Sequence, residues 1–470
     1  MEQTLVPEDT IAAIATPSGR GAIAIVRLSG PEALDIASKV WVGKNLKSVA
    51  THTSHLGYVY GENKKEPIDQ VLATVFHAPT TFTGEDLVEF GLHGSPLIAR
   101  QLLTALMQSG ARLAGPGEFS RRAVANGRMS LISAEAAADL VAASSRAAQR
   151  IAMTQMRGGV EFKLQKMQEE LLELASLLEL ELDFSEEDVE FASRPRLYEL
   201  AQSVRTHLKT LYNSYKTGHA IKDGIPVAIV GPTNAGKSSL LNALLEDDRA
   251  IVSDIHGTTR DVIEDTLEIE DYLFRFMDTA GLRNTDDPIE RSGIERSRRA
   301  LANARIVLLV ADSTSDSFPD EILNDALNNI SEDTKIIILI NKSDVSQPSF
   351  TSILDSKITS ICISAKTGQG IDRLKSILAE TIRNEETQAG DIVLTSERHK
   401  ECISQALESI ERVLNALSVQ NNTHPNIALP ADIIAQEVRA VIAPLSELTG
   451  TALQTPAILQ NIFSKFCIGK

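Results

Sequence analysis

At 470 residues, and with about 150 residues per domain as a prior, the chain has room for roughly three domains, each able to bury its own core. Hydrophobic residues at 43% and charged residues at 23% exclude both a disordered chain and one built around disulfides. The 63 Asp and Glu against 46 Lys and Arg leave a net charge of -17, which excludes nucleic-acid binding through a global positive field.

Any RNA contact is therefore expected from local patches such as Arg121, Arg122 and Arg128. The three cysteines, Cys362, Cys402 and Cys467, are far apart and form no CxxC pair. They read as reduced thiols rather than zinc ligands. The N-terminal stretch carries Glu2, Glu8 and Asp9 before any basic residue, unlike a secretion signal or a transit peptide, so a cytoplasmic protein is expected. The longest apolar runs, Ile306 to Ala311 and Ile336 to Ile340, fall far short of the roughly 18 residues of a membrane span.

In chain order, short β-like stretches come first, Gly21 to Leu28, Gln70 to His77 and Asp86 to His93, with one helix near Pro96 to Ser109. They predict a mixed α/β domain over 1–119. From Ser120 to about Thr217 apolar residues recur at helical spacing, as in Leu164, Met167, Leu171 and Leu174, predicting a helical segment over 120–219. Its acidic cluster from Glu179 to Glu190 reads as a solvated helix end, because it lacks the spacing of an oxygen-ligand loop. Five strands follow within 220–385: Pro226 to Val230, Leu273 to Met277, Arg305 to Val310, Lys335 to Ile340 and Ser360 to Ile363. Alternating with helices, they predict a doubly wound parallel sheet. Helical sequence resumes over 386–470, with a loop around Asn421 to Pro430. Two helical flanks suggest that the α/β unit is inserted in one helical domain.

Directly after the strand Pro226 to Val230 comes Gly231-Pro232-Thr233-Asn234-Ala235-Gly236-Lys237-Ser238, which fits GxxxxGK[ST] in the strand-to-helix position the motif needs. Glycines let main-chain N–H groups wrap phosphates, Lys237 supplies charge to the outer phosphates and Ser238 is a magnesium ligand. Asp278-Thr279-Ala280-Gly281 ends the next strand, where a carboxylate holds a magnesium-bound water and Gly281 offers its N–H to a γ-phosphate. Asn341-Lys342-Ser343-Asp344 ends another strand. Its Asp344 accepts hydrogen bonds from N1–H and the 2-amino group of guanine, which adenine does not both offer, so GTP is expected. Ser364-Ala365-Lys366 completes the base pocket. Gly257-Thr258-Thr259-Arg260-Asp261 lies where a GTPase places its first switch, with Thr259 as a second magnesium ligand. Leu282 stands where many GTPases carry a water-orienting Gln. By residue type, Glu290, Arg260, Arg283 and Arg291 are candidates to replace it.

With GxxNxGKSS, GTTRD, DTAGLR and NKSD on one chain, Phe82-Thr83-Gly84-Glu85-Asp86 near its start and Phe466-Cys467-Ile468-Gly469-Lys470 at its end, the sequence resembles the MnmE (TrmE) family of tRNA-modification GTPases over essentially its whole length. The resemblance implies a dimerising N-terminal tetrahydrofolate-binding domain, an all-α domain built from both flanks, and an inserted Ras-like GTPase domain. It implies a homodimer that forms a heterotetramer with the FAD-dependent partner MnmG. Together they would place an aminomethyl or carboxymethylaminomethyl group on C5 of the tRNA wobble uridine.

The family's nucleotide site maps here onto Asn234, Ala235, Gly236, Lys237, Ser238 and Ser239, then Ser253, Asp254, Ile255, His256, Gly257, Thr258 and Thr259. It continues through Asp278, Thr279, Ala280 and Gly281 to Asn341, Lys342, Asp344, Ser364, Ala365 and Lys366. Potassium would be held by Asn234, Ser253, Ile255 and Thr258, and Glu290 would orient the attacking water, with Lys237 and Asn234 as its catalytic companions. For 5-formyltetrahydrofolate or a related folate the matching positions are Arg27, Glu89, Arg128 and Lys470, with Cys467 nearby. Three departures stand out: Thr233 precedes Asn234 in place of a proline, Arg128 replaces a lysine, and His93-Gly94-Ser95 replaces His-Gly-Gly. The rival reading is a regulatory or ribosome-assembly GTPase switch without transfer chemistry.

Overall fold

The computed structural model describes residues 9–62, 65–183, 194–246, 264–278, 298–315, 317–331, 333–346, 358–390, 392–418, 431–450, 466 and 469. Two compact units divide the chain, one formed by 1–138, 156–168 and 439–470, the other by 139–155 and 169–438.

In the first unit seven strands form one sheet: β1 (Ile11–Ile14), β2 (Ile23–Ser29), β3 (Trp41–Val42), β4 (Thr53–Tyr60), β5 (Pro67–Phe76), β6 (Leu87–His93) and β7 (Arg112–Leu113). Their order is β3-β4-β5-β6-β2-β1-β7, antiparallel except for β1 with β7. Along β2 the side chains alternate, so Ala24, Val26 and Leu28 are buried while Ile25 and Arg27 take the other face. The buried face packs on Ile36 of α1 (Ala33–Val40) and on Leu102 and Leu106 of α2 (Pro96–Gln108). On the opposite face Phe119 of α3 (Glu118–Ala125) covers Ile11 and Ala13.

The three expected strands and the helix are present; β1, β3, β4, β7 and α1 were not legible. In β4 the reason is physical. Leu56 and Tyr58 are exposed while Gly57 and Val59 are buried, so hydrophobicity does not alternate with burial. Gly57 is required there, since a Cβ would lie 2.4 Å from the ring of Trp41.

Helices follow as expected: α4 (Leu131–Ala142), α5 (Arg146–Met156), α6 (Gly159–Asp183) and α7 (Arg194–Asp223). The acidic cluster begins on the last turns of α6, and its portion from 184 onward lies outside the described residues. The second sheet contains β8 (Ile225–Val230), β9 (Glu264–Ile269), β10 (Tyr272–Asp278), β11 (Ile306–Asp312), β12 (Lys335–Asn341) and β13 (Thr359–Cys362), with α8 (Lys237–Glu246) following β8. Its order is β13-β12-β11-β8-β10-β9. All five expected strands are found and pair in parallel, and a sixth, β9, which was not expected, adds an antiparallel edge beside β10. The acidic run Glu264-Asp265-Thr266-Leu267-Glu268-Ile269 hid this strand. A turn through Glu270, left-handed at φ 55°, makes the hairpin.

Every residue from Ile306 to Ala311 is buried, as in a strand covered on both faces. Each aliphatic side chain there contributes about 1.5–3 kcal/mol. Helices α9 (Asp320–Asn329) and α10 (Ile371–Ala389) complete the covering layers, with Ala326 in one core and Leu374 and Leu378 in the other. Ala147, Ala148 and Ile151 of α5 join the second of these cores. Helix α11 (Glu397–Ser418) packs along α7, and α12 (Ala431–Thr449) follows. Cys362 is an exposed thiol and Cys402 a buried one; Cys467 lies outside the described residues. Among the described residues no helix is long and apolar enough to cross a membrane.

Candidate functional site

The C-terminal ends of β8, β10, β11, β12 and β13 share one edge of the second sheet, and β8 lies where the strand order reverses. That edge is where open α/β sheets hold ligands. From Val230 the chain enters the phosphate loop through Gly231, at φ 156°, so close to β11 that a Cβ would lie 2.3 Å from the Val310 carbonyl oxygen. Asn234 is left-handed at φ 65°, a conformation that Asn tolerates better than most residues, and Gly236 follows at φ 94°. The Lys237 ammonium donates to the carbonyl oxygens of Gly231 and Pro232, both at 2.9 Å. Asn234, Ser238 and Ser239 are exposed, so the loop is open to solvent around the start of α8. Asp278 ends β10 in register with Ile229, which sets its main chain beside the loop.

The base-binding loops are clamped to the phosphate loop by Asn341. Its Nδ2 donates to the Ala235 carbonyl at 2.8 Å, and its Oδ1 accepts from the Ala365 N–H at 2.9 Å. One buried side chain thus ties three predicted loops together. Lys342 is left-handed at φ 64°, and its ammonium donates to Asp312 Oδ2 at 2.6 Å. Burial alone would raise the Asp312 carboxyl, yet the bonds from Lys342 and Thr314 outweigh it and hold the group below its ordinary range. Asp344 and Lys366 are exposed. Sequence reading passed over Asp312, although a signal existed: it closes an apolar strand as Asp278 and Asn341 close theirs.

A second cluster forms on the first sheet, where Arg27 of β2 lies opposite Glu89 of β6. The guanidinium donates to Glu89 Oε1 at 2.8 Å and to the Gly469 carbonyl at 3.2 Å. Phe82 and Phe119 present their rings to it at 5.4 and 5.5 Å. Arg128 lays its stem against Gly84, where a Cβ would lie 3.2 Å from its Cγ. Thus Arg27 and Glu89 are brought together, and the exposed Arg128 lies against the Phe82–Asp86 loop.

Behind them is a network that sequence reading missed. Fully buried Arg122 donates to Asp9 Oδ1 at 2.6 Å, Glu85 Oε1 at 3.0 Å and Glu118 Oε1 at 3.3 Å. Arg112 bonds Asp9 and Glu118, each at 2.6 Å. Bonding from Arg112 holds the Asp9 carboxyl low. Burial pushes Glu118 up, but Arg112 and the Gly115 N–H prevail and hold it low as well. The expected phosphate-facing patch of Arg121, Arg122 and Arg128 is corrected at Arg122 alone, since Arg128 is exposed and Arg121 partly so. Arg122 is enclosed by carboxylates and cannot meet an RNA backbone.

The sites expected at Ser253, Asp254, Ile255, His256, Gly257, Thr258, Thr259, Arg260, Thr279, Ala280, Gly281, Arg283, Glu290, Arg291 and Lys470 lie outside the described residues, as does the Asp278 side chain. Among the described residues no cluster of three His, Cys, Asp or Glu side chains suits a metal.

A phosphate loop, a strand-end aspartate and two clamped base loops on one sheet edge define a P-loop GTPase. Family comparison matches residues 10–128 to the "GTP-binding protein TrmE N-terminus" and 131–467 to the "MnmE helical domain". The chain belongs to the MnmE family of tRNA-modification GTPases. Proteins named tRNA modification GTPase MnmE from Parabacteroides distasonis and Cytophaga hutchinsonii are 46% and 43% identical to it. The alignments cover 98% of this chain in both cases, and 100% and 98% of those relatives. A crystal structure of Era from Aquifex aeolicus is 29% identical over 33% of this chain and 55% of its own. Its TM-score of 0.28 is too low to bear on the fold.

Proposed function

We propose that this chain is a potassium-dependent GTP hydrolase that acts on tRNA with the FAD-dependent partner MnmG. Together they add an aminomethyl or carboxymethylaminomethyl group to C5 of the wobble uridine, with a tetrahydrofolate as the source of the carbon unit. The observation that carries this reading is the Arg27–Glu89 pair, with two aromatic rings against the guanidinium. A carboxylate suits the amide-like donor edge of a pterin, and Arg27 and Arg128 suit glutamyl carboxylates. A nucleotide switch without transfer chemistry has no use for such a cluster.

On the nucleotide side, the exposed Asn234 amide and Ser238 hydroxyl are hard oxygen donors, of the kind that magnesium and potassium take. Magnesium would sit on Ser238 and Thr259, and potassium on Asn234, Ser253, Ile255 and Thr258. These cations would stabilise charge developing on the phosphates. Glu290 would orient the attacking water, with Lys237 on the outer phosphates. A homodimer through the first unit is supported by exposed Val42, Leu56, Tyr58 and Leu72, where Leu56 faces Leu72 and Val42 faces Tyr58 across strands. The same reading gives the domain limits 1–119, 120–219, 220–385 and 386–470, a heterotetramer with MnmG, and a cytoplasmic location.

One two-armed experiment tests it. Titration of 5-formyltetrahydrofolate into the full chain is expected to show saturable binding, weakened at least about tenfold in Arg27→Ala and Glu89→Gln, consistent with loss of a charge-assisted contact. GTP turnover at equal ionic strength is expected to be faster in potassium than in sodium, with that difference lost in Asn234→Ala and turnover abolished in Glu290→Ala. Absence of folate binding would leave the switch reading in its place.

A further inference from the structure

The turn after β11 grips the first two residues of the base-binding run at three points, one on Asn341 and two on Lys342. Asp312 and Asn341 are neighbours in the parallel register of β11 and β12. Just beyond them the Ser313 N–H donates to the Asn341 carbonyl at 2.9 Å, and the Ser313 hydroxyl donates to the Lys342 carbonyl at 2.8 Å. The third point is the Lys342 ammonium on Asp312 Oδ2 at 2.6 Å. The turn is itself fixed, because Thr314 donates its N–H and hydroxyl to Asp312 Oδ1 at 2.9 and 2.7 Å. Ser313 is 3% exposed, and the Asp312 side chain is 20% exposed.

Lys342 has reason to need such a grip. Its backbone is left-handed, which a residue with a long side chain adopts only when its surroundings impose it. Its side chain has four rotatable bonds, and a lysine free to explore them would have to be ordered when a nucleotide arrives, which weakens binding. The Asp312 carboxylate has that order in place, and the two Ser313 bonds hold the backbone turn from which the side chain departs.

We infer that Asp312 and Ser313 are positioning residues for guanine-nucleotide binding, acting through Lys342. Asp312 orients the ammonium so that the lysine stem forms a ready wall beside Asn341. Ser313 secures the left-handed turn, which lets Asn341 reach Ala235 and Ala365 while the chain continues to Asp344. Neither residue touches the reacting phosphates, so binding and not turnover carries their effect. This inference rests on the reading of Asn341 to Asp344 as the base-binding run.

The test is titration of N-methylanthraniloyl-GDP into the full-length chain, in parallel with steady-state GTP hydrolysis. Asp312→Asn keeps an oxygen for the two Thr314 bonds, so the turn folds while Lys342 loses its charged partner; the melting midpoint checks this. Its Kd for the labelled GDP and its KM for GTP are expected to rise about tenfold, with kcat within about twofold of the native chain. In a Lys342→Met background the same change is expected to have no further effect, because the lysine it acts through is gone. Ser313→Ala is expected to weaken binding about threefold, as the loss of one buried donor. An unchanged or tighter Kd in Asp312→Asn, a fall in kcat with KM unchanged, or full additivity in the double variant would each overturn the inference. Failure of the underlying reading shows separately, as a native chain that binds labelled ADP as well as labelled GDP.

Discussion

The nucleotide edge of the second unit and the charged cluster of the first are built from different materials. Around the phosphates the working surface is main chain. Gly231, Asn234, Gly236 and Lys342 all have positive φ, and Asn341 locks the loops through carbonyl and N–H groups. Around Arg27 the surface is side chain, with paired charges backed by a lattice of Asp9, Glu85, Arg112 and Glu118 around the fully buried Arg122. A backbone surface does not tolerate the addition of a Cβ, while a side chain that makes no contact of its own there can be exchanged at little cost. A site made of charges tolerates neutral neighbours but not the loss of one member. Thr233 before Asn234 is therefore a milder departure than its place in the motif suggests.

The largest expected effect comes from breaking the charge lattice. Arg122→Ala would leave Glu85 and part of Asp9 and Glu118 without their cation, and removing one partner of a buried pair costs about 3–5 kcal/mol. The single tryptophan, Trp41, is 6% exposed in the core of the first unit and reports on it directly. Its fluorescence in a urea titration should show a lowered midpoint, with GDP binding retained. An unmoved midpoint would mean that the lattice adds nothing to this sheet.

Breaking the backbone site should do the reverse. In Gly236→Ala the new Cβ would fall 2.3 Å from Asn341 Nδ2, at a φ that L residues rarely adopt. The clamp to Ala235 must then yield. Affinity for GDP should fall more than a hundredfold, about 2.7 kcal/mol, with the Trp41 transition unchanged. Near-native affinity would show that the clamp is dispensable and that the phosphate loop stands by itself.

The same contrast explains what was legible. Backbone-coded chemistry must be written contiguously, so eight residues from Gly231 and four from Asn341 disclose the nucleotide edge in the sequence itself. The buried strands Ile306 to Asp312 and Lys335 to Asn341 were equally plain, because a strand covered on both faces is continuously apolar. The lattice gathers residues from Asp9 to Arg122, more than a hundred positions apart, and each by itself reads as a surface charge. Arg122 was misplaced for that reason: nothing local distinguishes a buried arginine from an exposed one. Arg27 and Glu89 were named through family resemblance, not through spacing. Edge strand β9 and the outward-apolar β4 escaped because their polarity patterns do not follow burial.

The smallest effect concerns pH and falls entirely within the first unit. Asp9 and Glu118 have folded values held below the ordinary carboxyl value of about 4. Their contribution is therefore complete above that value and is lost as pH falls through the depressed ones. Glu161 runs the other way. Burial raises it, although Ser133 donates to it, so the folded state holds its proton longer than the unfolded chain does. Stability from that group declines as pH rises from the unfolded value toward the raised one. Stability followed by Trp41 should thus rise slightly as pH falls through the raised Glu161 value toward the ordinary carboxyl one, then weaken as pH falls below about 4, with a limit of about 1.4 kcal/mol per pH unit for each proton taken up. Glu161→Gln should erase the rise and leave the acid fall intact. Arg112→Gln should move the fall to higher pH, because Arg112 is the principal partner holding Asp9 low. A curve that shifts as a whole in Glu161→Gln would mean that Glu161 belongs to the lattice rather than opposing it.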